Sequence, residues 1–364
     1  MFLLSIAILL MLSSSDVNNA DNLSSTKTVT FYPTYAYSDG DQWRVPVRVY
    51  VNESRSVAPG ILTRIVRSRA DLNPEETAIL RRRLSHFTDD SKSRERVEFM
   101  FDQDPDSIRY QIQNERGRTL RTDINGLMIG EIVLSNDKVT DLLRRQGADD
   151  QWLVIRVVSQ NHSGRGLIRI IQPEGVSVVS DIDDTIKITE MPAGSRVVIR
   201  NTFFKEYSAT PGMAGMYREW GDIPFHYVSG APWQLFRPLT NFLFSEAGGF
   251  PVGTMHMKTV RKNLRSLNSW RDLRELATNE NVTFDQKIAQ INTIFLHFPD
   301  RQFILVGDSG EKDPEIYREI ANRYPDQIKE IIIRDVVNHR ELRPDRLEGM
   351  TIIPAETFVR AGGD

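Results

Sequence analysis

The sequence contains no cysteine, which excludes a disulfide scaffold, a thiolate zinc site and a cysteine nucleophile together. Its six histidines are scattered, without the spacing of a zinc ligand set. An excess of charge of one sign is also missing. Lys and Arg number 46 against 49 Asp and Glu, a formal net charge of -3, so the broad basic footprint of a nucleic-acid binder is missing. Past Leu12 no apolar run approaches the length of a membrane span. There is no internal repeat and no long low-complexity tract. A chain of 364 residues, 40% hydrophobic, is expected to form two domains, each burying its own core.

The N-terminus sets the expected address. Phe2 to Leu12 is apolar apart from Ser5, and Ser13-Ser14-Ser15 and a polar stretch to Ala20 follow. This reads as a signal peptide over residues 1–20, too short to span a bilayer as an ordinary helix, although no Lys or Arg precedes the apolar run. The expectation is a secreted or periplasmic protein with no transmembrane anchor after cleavage. The alternative is an uncleaved helix packed on the protein.

Periodicity divides the remainder. Val45, Val47, Val49 and Val51 alternate with polar residues and share one face of a half-buried strand. Asn73-Pro74-Glu75-Glu76 opens a helix over about 73–86, with Asn73 as its N-cap and Arg81-Arg82-Arg83 solvated. Asp89 to Glu95 reads as a polar, mobile link. Residues 96–175 return to short alternating strands broken at Asn114 to Gly117 and Asn161 to Gly164. Residues 27–175 are therefore expected to form a mainly β, sandwich-like domain with a helical insertion. From residue 176 to 364 strands alternate with helices, which indicates an α/β domain with a Rossmann-like parallel sheet flanked by helices.

That second half carries the chemistry. Val178-Val179-Ser180-Asp181-Ile182-Asp183-Asp184-Thr185 runs an apolar, β-branched strand straight into acids. Asp181 and Asp183 have the period-two spacing that puts both on one side of a strand, and like charges so close call for a cation. Thr185 adds a hydroxyl. A second apolar strand ends in Gly307-Asp308-Ser309-Gly310-Glu311-Lys312-Asp313-Pro314, with Pro314 suited to a first helical turn and Asp313 to its N-cap. Between them, Phe225-His226-Tyr227-Val228-Ser229-Gly230 ends a third run in a hydroxyl and a glycine, and Lys287 stands in a helix-like stretch ahead of the Asp308 strand. Active sites in parallel sheets lie at the carboxyl ends of strands, where the strand-borne motifs fall.

The order and chemistry of these four elements resemble the haloacid-dehalogenase-like (HAD-like) phosphatases. The wider wording of residues 180–187, 226–233 and 307–317 resembles the actin-patch phosphatidate phosphatases and their bacterial relatives, a Mg²⁺-dependent group. The resemblance covers about 178–335, with weaker similarity at Tyr32-Pro33-Thr34-Tyr35 and at 122–126. It implies Asp181 as nucleophile forming an aspartyl-phosphate, and Asp183 as the acid that protonates the leaving alkoxide and then the base toward water. It implies Ser229 and Lys287 as phosphoryl-oxygen ligands. Mg²⁺ would be held by Asp181 and Asp308 with the main-chain carbonyl of Asp183. Asp313 is either a partner of a metal-bound water or a helix cap.

Blander readings stand beside these. Asp184 is expected to orient the loop through Lys187 or a backbone amide. Lys312 competes with Lys287 for the phosphate, and the superfamily order favours Lys287. His226 and Trp233 read as packing residues. His256, Lys258, Arg261 and Lys262 are either a solvated face or a rim that attracts an anionic headgroup. The aromatic and Met-rich insertion at 187–224 is either a cap contacting an acyl chain or a cap burying its own core. The resemblance implies a Mg²⁺-dependent phosphomonoesterase whose partner is a phosphorylated lipid, phosphatidate, at a membrane surface. A phosphatase for a soluble phosphoester and a non-catalytic binding or scaffold protein are the alternatives.

Overall fold

A computed structural model describes residues 27–53, 72–88, 90–259 and 280–355. The leader expected over 1–20, and Arg261 and Lys262, lie outside the described residues.

Among the described residues the first half forms one mixed sheet of ten strands. These are β1 (Lys27–Phe31), β2 (Thr34–Asp39), β3 (Gln42–Glu53), β4 (Asp90–Ser91), β5 (Glu98–Phe101), β6 (Tyr110–Gln111), β7 (Leu127–Ser135), β8 (Trp152–Val157), β9 (His162–Ser163) and β10 (Arg165–Ile170). The sheet folds over itself, so that Phe31 of β1 meets Phe99 of β5 edge-on at 5.6 Å. Val45, Val47, Val49 and Val51 of β3 all point into that shared core. Within the link expected to be mobile, Asp90–Ser91 form a strand: β4 pairs with the end of β3, and the Lys92 amide donates to the Val51 carbonyl at 2.9 Å.

Among the described residues two helices interrupt these strands. In α1 (Pro74–Thr88) Asn73 and Glu76 form a reciprocal capping box: the Glu76 amide donates to Asn73 Oδ1 at 2.9 Å and the Asn73 amide to Glu76 Oε2 at 3.1 Å. Its apolar stripe, Leu80, Leu84 and Phe87, packs on the core of the second half. Arg83 departs from the solvated reading of its triplet. It is buried, with its guanidinium 3.7 Å from the Tyr207 ring centroid and bonded to the Thr202 carbonyl. Sequence reading missed α2 (Asn136–Gln146), which Ser135 caps and which buries only Val139 and Leu142.

The second half is a six-stranded, all-parallel sheet in the order β13-β12-β11-β14-β15-β16. The strands are β11 (Gly175–Ser180), β12 (Phe225–Pro232), β13 (Thr254–Lys258), β14 (Arg301–Asp308), β15 (Ile328–Asp335) and β16 (Thr351–Pro354). Side-chain alternation sorts the two faces. Val178, Ile304 and Val306 pack with helices α3 (Ser195–Phe203), α4 (Met213–Glu219) and α5 (Phe236–Leu243). Val179, Phe303 and Leu305 pack on the other face with α6 (Glu280–His297) and α7 (Asp313–Arg323). Phe203, Phe204, Met213 and Tyr217 of the 187–224 insertion belong to the first of these cores. The chain leaves β11 toward β12 and returns on its other side at β14, so the strand order reverses between β11 and β14, the place where open parallel sheets form a crevice.

The halves meet through the stretch Tyr32 to Tyr37. Tyr32 packs against Trp233 and Phe236 with ring centroids 4.3 and 4.8 Å away. Tyr35 donates or accepts a 2.8 Å bond with His297 Nδ1, and Tyr37 stacks on the same imidazole at 4.0 Å. Trp233 thus takes the packing role, wedged between Tyr32 and the Arg48 guanidinium at 4.5 Å.

Candidate active site

β11 ends at Ser180, and the next amide, that of Asp181, donates to the Val306 carbonyl of β14 at 2.9 Å. The pairing with β14 therefore holds the Asp181 backbone beside the end of that strand. Asp181 Oδ1 accepts from Lys287 Nζ at 2.6 Å and Oδ2 from the Thr185 hydroxyl at 3.1 Å. Asp183 lies on the same loop with different neighbours. Its Oδ1 meets Lys187 Nζ at 2.8 Å and the Thr189 hydroxyl at 2.6 Å, and its Oδ2 accepts from Ser229 Oγ at 3.4 Å. Asp184 stabilises the loop itself: its carboxylate accepts the amides of Thr189, Glu190 and Met191 at 2.5 to 2.8 Å. Of the two expectations for Asp184 the backbone one holds, because Lys187 turns to Asp183.

The second acidic loop starts at Asp308, the last residue of β14. Asp308 Oδ1 accepts the Gly310 and Glu311 amides at 2.6 and 3.2 Å, which folds the loop back over the strand end. Two glycines make this possible. A Cβ on Gly307 would lie 2.5 Å from Asp313 Oδ2, and one on Gly310 would lie 2.8 to 2.9 Å from Pro192, Asp308 Oδ1 and Val336. Asp181, Asp308 and Glu311 each offer a carboxylate oxygen, and the three oxygens lie within 4.8 Å of one another.

Glu311 is the member that sequence reading left without a role, and only the fold-back at Gly310 brings it in. Asp313 sits elsewhere. It is the first residue of α7, whose N-cap is Lys312, and it makes no cap. Its Oδ1 accepts from Lys287 at 2.8 Å and its Oδ2 from the Asp308 amide at 3.2 Å. It therefore fixes the site's lysine and its central loop, and the acidic trio forms without it.

The electrostatics of the site are lopsided. Three buried or half-buried carboxylates, Asp181, Glu311 and Asp313, share one buried ammonium, Lys287, and a fourth, Asp308, stands beside Asp181 and Glu311. Burial holds the Asp181 and Asp308 carboxyls well above the usual range, opposed at Asp181 by Lys287 and reinforced by the neighbouring acids. Glu311 is pushed up to about 7 by burial, again against Lys287. Burial alone would lower Lys287, but Asp181, Asp313 and Glu311 raise it well above its ordinary value. Asp183 is the exception: burial raises it, yet Lys187 and Thr189 outweigh burial and hold it below the usual range. The two neighbouring acids are thus driven apart, and Asp181, the one whose charge burial penalises on balance, is the one that calls for a cation. One oxygen, Asp308 Oδ2, is buried with no hydrogen-bond partner. A lone carboxylate oxygen beside two further carboxylates fits a hard divalent cation with oxygen ligands.

A cavity of about 320 Å³ adjoins the site, lined among others by Lys287, Glu311, Phe284, Lys312 and Arg343. Lys312 is exposed on it, and Lys287 alone reaches Asp181. Of the candidate basic rim, Lys258 is buried and donates to Thr283 Oγ1 at 3.4 Å, and His256 is half-buried beside the Tyr35 ring. His226 is a core residue, bonded through Nδ1 to Thr254 at 2.8 Å.

Residues 176–335 match the family described as phosphatidate phosphatase APP1, catalytic domain. The likeness is confined to that segment. Phosphatidate phosphatase APP1 of Saccharomyces cerevisiae is 34% identical over 183 residues, 47% of this chain and 29% of that protein. An uncharacterized protein of Schizosaccharomyces pombe is 28% identical over 177 residues, 47% of this chain and 27% of that one. The chain thus spans less than a third of the length of these relatives. Among solved structures, a Ruminococcus gnavus beta-glucuronidase aligns over 87% of this chain and 45% of that one at 8% identity and a TM-score of 0.21, too slight a likeness to bear on the fold.

Proposed function

We propose that this protein is a HAD-like, Mg²⁺-dependent phosphomonoesterase that releases phosphate from phosphatidate through an aspartyl-phosphate on Asp181. The observation that carries the chemistry is the convergence of the Asp181, Asp308 and Glu311 carboxylates, with Lys287 on Asp181 and one Asp308 oxygen unbonded. The likeness of residues 176–335 to phosphatidate phosphatases supports the substrate class.

Asp181, Asp308 and Glu311, with the Asp183 carbonyl, would hold the cation. Bound there, Mg²⁺ supplies neutralisation of phosphoryl charge. Asp181 attacks phosphorus, and the bond from phosphorus to the ester oxygen breaks. Asp183 takes up a proton from solvent as the phosphate dianion binds and gives it to the departing alkoxide, then takes one from the water that attacks the aspartyl-phosphate, which restores Asp181 and frees phosphate. The Lys187 contact keeps Asp183 ionised at rest, ready for the second step. The arrival of a phosphate dianion beside it raises its proton affinity for the first. Ser229 and Lys287 steady the phosphoryl oxygens, work that in phosphoryl transfer is mostly positioning and charge neutralisation. The leader read over residues 1–20 would make the protein secreted or periplasmic, working at a membrane surface.

The test is phosphate release from phosphatidate in mixed micelles, with Mg²⁺ or with chelator, alongside a panel of soluble phosphoesters. Metal-dependent release from phosphatidate that disappears in Asp183→Asn is expected. Release from soluble esters alone would discard the lipid, and silence on every ester would favour a non-catalytic binding role.

A further inference from the structure

Arg346 lies beyond the matched segment, which ends at residue 335, in a short turn at Pro344–Leu347. It is 8% exposed, and its guanidinium converges on the second acidic loop. Nη1 donates to the Ser309 carbonyl and Nη2 to the Glu311 carbonyl. Nε and Nη2 grip both oxygens of Glu315 at 2.6 and 2.8 Å, and Nη1 meets His339 Nδ1 at 2.7 Å.

Ser309 and Glu311 flank Gly310, whose amide donates to Asp308 Oδ1. A single side chain therefore holds the backbone on both sides of the turn that brings the Asp308 and Glu311 carboxylates together. Ser309 adds a tie of its own, donating to Asp335 Oδ1 at 2.8 Å. A rigid, planar fork with five donors suits this task, and a lysine offers only a point charge on a flexible stem.

We propose that Arg346 is a positioning residue for the divalent-cation site: by fixing the Ser309 and Glu311 carbonyls it sets the distance between the Asp308 and Glu311 carboxylates. The proposal rests on the metal site of the preceding reading and not on the identity of the substrate. Groups that orient metal ligands typically change metal affinity or activity by about 10- to 100-fold when altered.

The experiment is calorimetric titration of the full chain with MgCl₂, comparing wild type, Arg346→Lys and Glu315→Gln, with circular dichroism to establish that each is folded. Arg346→Lys is expected to weaken Mg²⁺ binding by about tenfold or more. The Mg²⁺ needed for half-maximal phosphate release should rise by the same factor, and the rate should recover at saturating Mg²⁺. Glu315→Gln, which keeps both carbonyl contacts, is expected to weaken binding less. A purely structural role would lower the folded fraction without moving the half-saturation point of the folded protein, and that result overturns the proposal. So do unchanged binding in Arg346→Lys, equal weakening in both variants, or no Mg²⁺ binding by the wild type. If Arg346→Lys does not fold, Arg346→Gln gives the same comparison. Wild type that binds Mg²⁺ more tightly than the Arg346 variant, yet hydrolyses no ester, removes the phosphatase reading and leaves this proposal in place.

Discussion

Charge pairs on the ten-stranded sheet such as Arg44–Glu131 keep contact with solvent, whereas those at the strand ends of the six-stranded sheet are buried. Arg44 and Glu131 keep 32% and 18% of their side-chain surface, whereas Lys287 and Asp181 keep 3% and 1%. Both regions bury aliphatic and aromatic side chains equally well, as Val49 and Phe99 in one and Val179 and Leu305 in the other demonstrate. Apolar packing therefore does not distinguish them. Exposed pairs contribute little to stability. Buried ions incur a large desolvation penalty, and hydrophobic groups of the same volume often serve stability as well or better. The buried charges of the second region are better explained by chemistry than by folding.

The largest way to break this comparison is Asp181→Asn. Turnover should fall by about 10⁴-fold or more while the circular dichroism spectrum stays that of wild type; a rate near wild type would remove Asp181 as nucleophile. Lys287→Met sharpens it. Stranding Asp181, Asp313 and Glu311 without their ammonium should cost about 3–5 kcal/mol in chelator, measured by urea denaturation, with part regained on adding Mg²⁺. Phe99→Ala probes the other side. Emptying that wholly buried position should cost a similar 3–5 kcal/mol or so yet leave turnover per folded molecule unchanged. A changed turnover would mean that the β region acts on the site.

The smallest expected effect concerns the seam between the regions. Burial pushes His256 and His297 down to about 4, and His226 well below its ordinary value. Between pH 6.5, the ordinary histidine value, and about 4, the unfolded chain binds protons at these positions that the folded chain refuses. Their contribution to stability is therefore complete above that range and is lost as the pH falls through it. The melting temperature should decline steadily from neutral pH toward pH 4.5, and Tyr37→Leu, which removes the stack on His297, should change the slope. A flat profile would contradict the burial assigned to these imidazoles.

Much of this was legible in the chain. Val45 to Val51 announced their strand by alternation, Asn73 its helix by capping chemistry, and Asp181, Ser229, Lys287 and Asp308 their site by following strands in order. What stayed hidden depends on contacts distant in sequence. Glu311 reaches the trio only because the loop folds back at Gly310. Arg346 belongs to no motif and acts on carbonyls, which leave no mark on the sequence. The stripe of Leu80, Leu84 and Phe87 signals burial but not against which core. Asp90-Ser91 looks like a linker until β3 supplies the backbone partners. Arg83 is indistinguishable from Arg81 and Arg82 except by the Tyr207 ring above it.

The most direct measurement is mass spectrometry of the protein quenched in acid during turnover of phosphatidate, reduced with borohydride and digested. The peptide containing Asp181 should carry the reduced product of an acyl phosphate, and the label should be absent in chelator and in Asp181→Asn. Turnover with no label at Asp181, or with label at Asp183 or Asp308, would contradict Asp181 as the nucleophile.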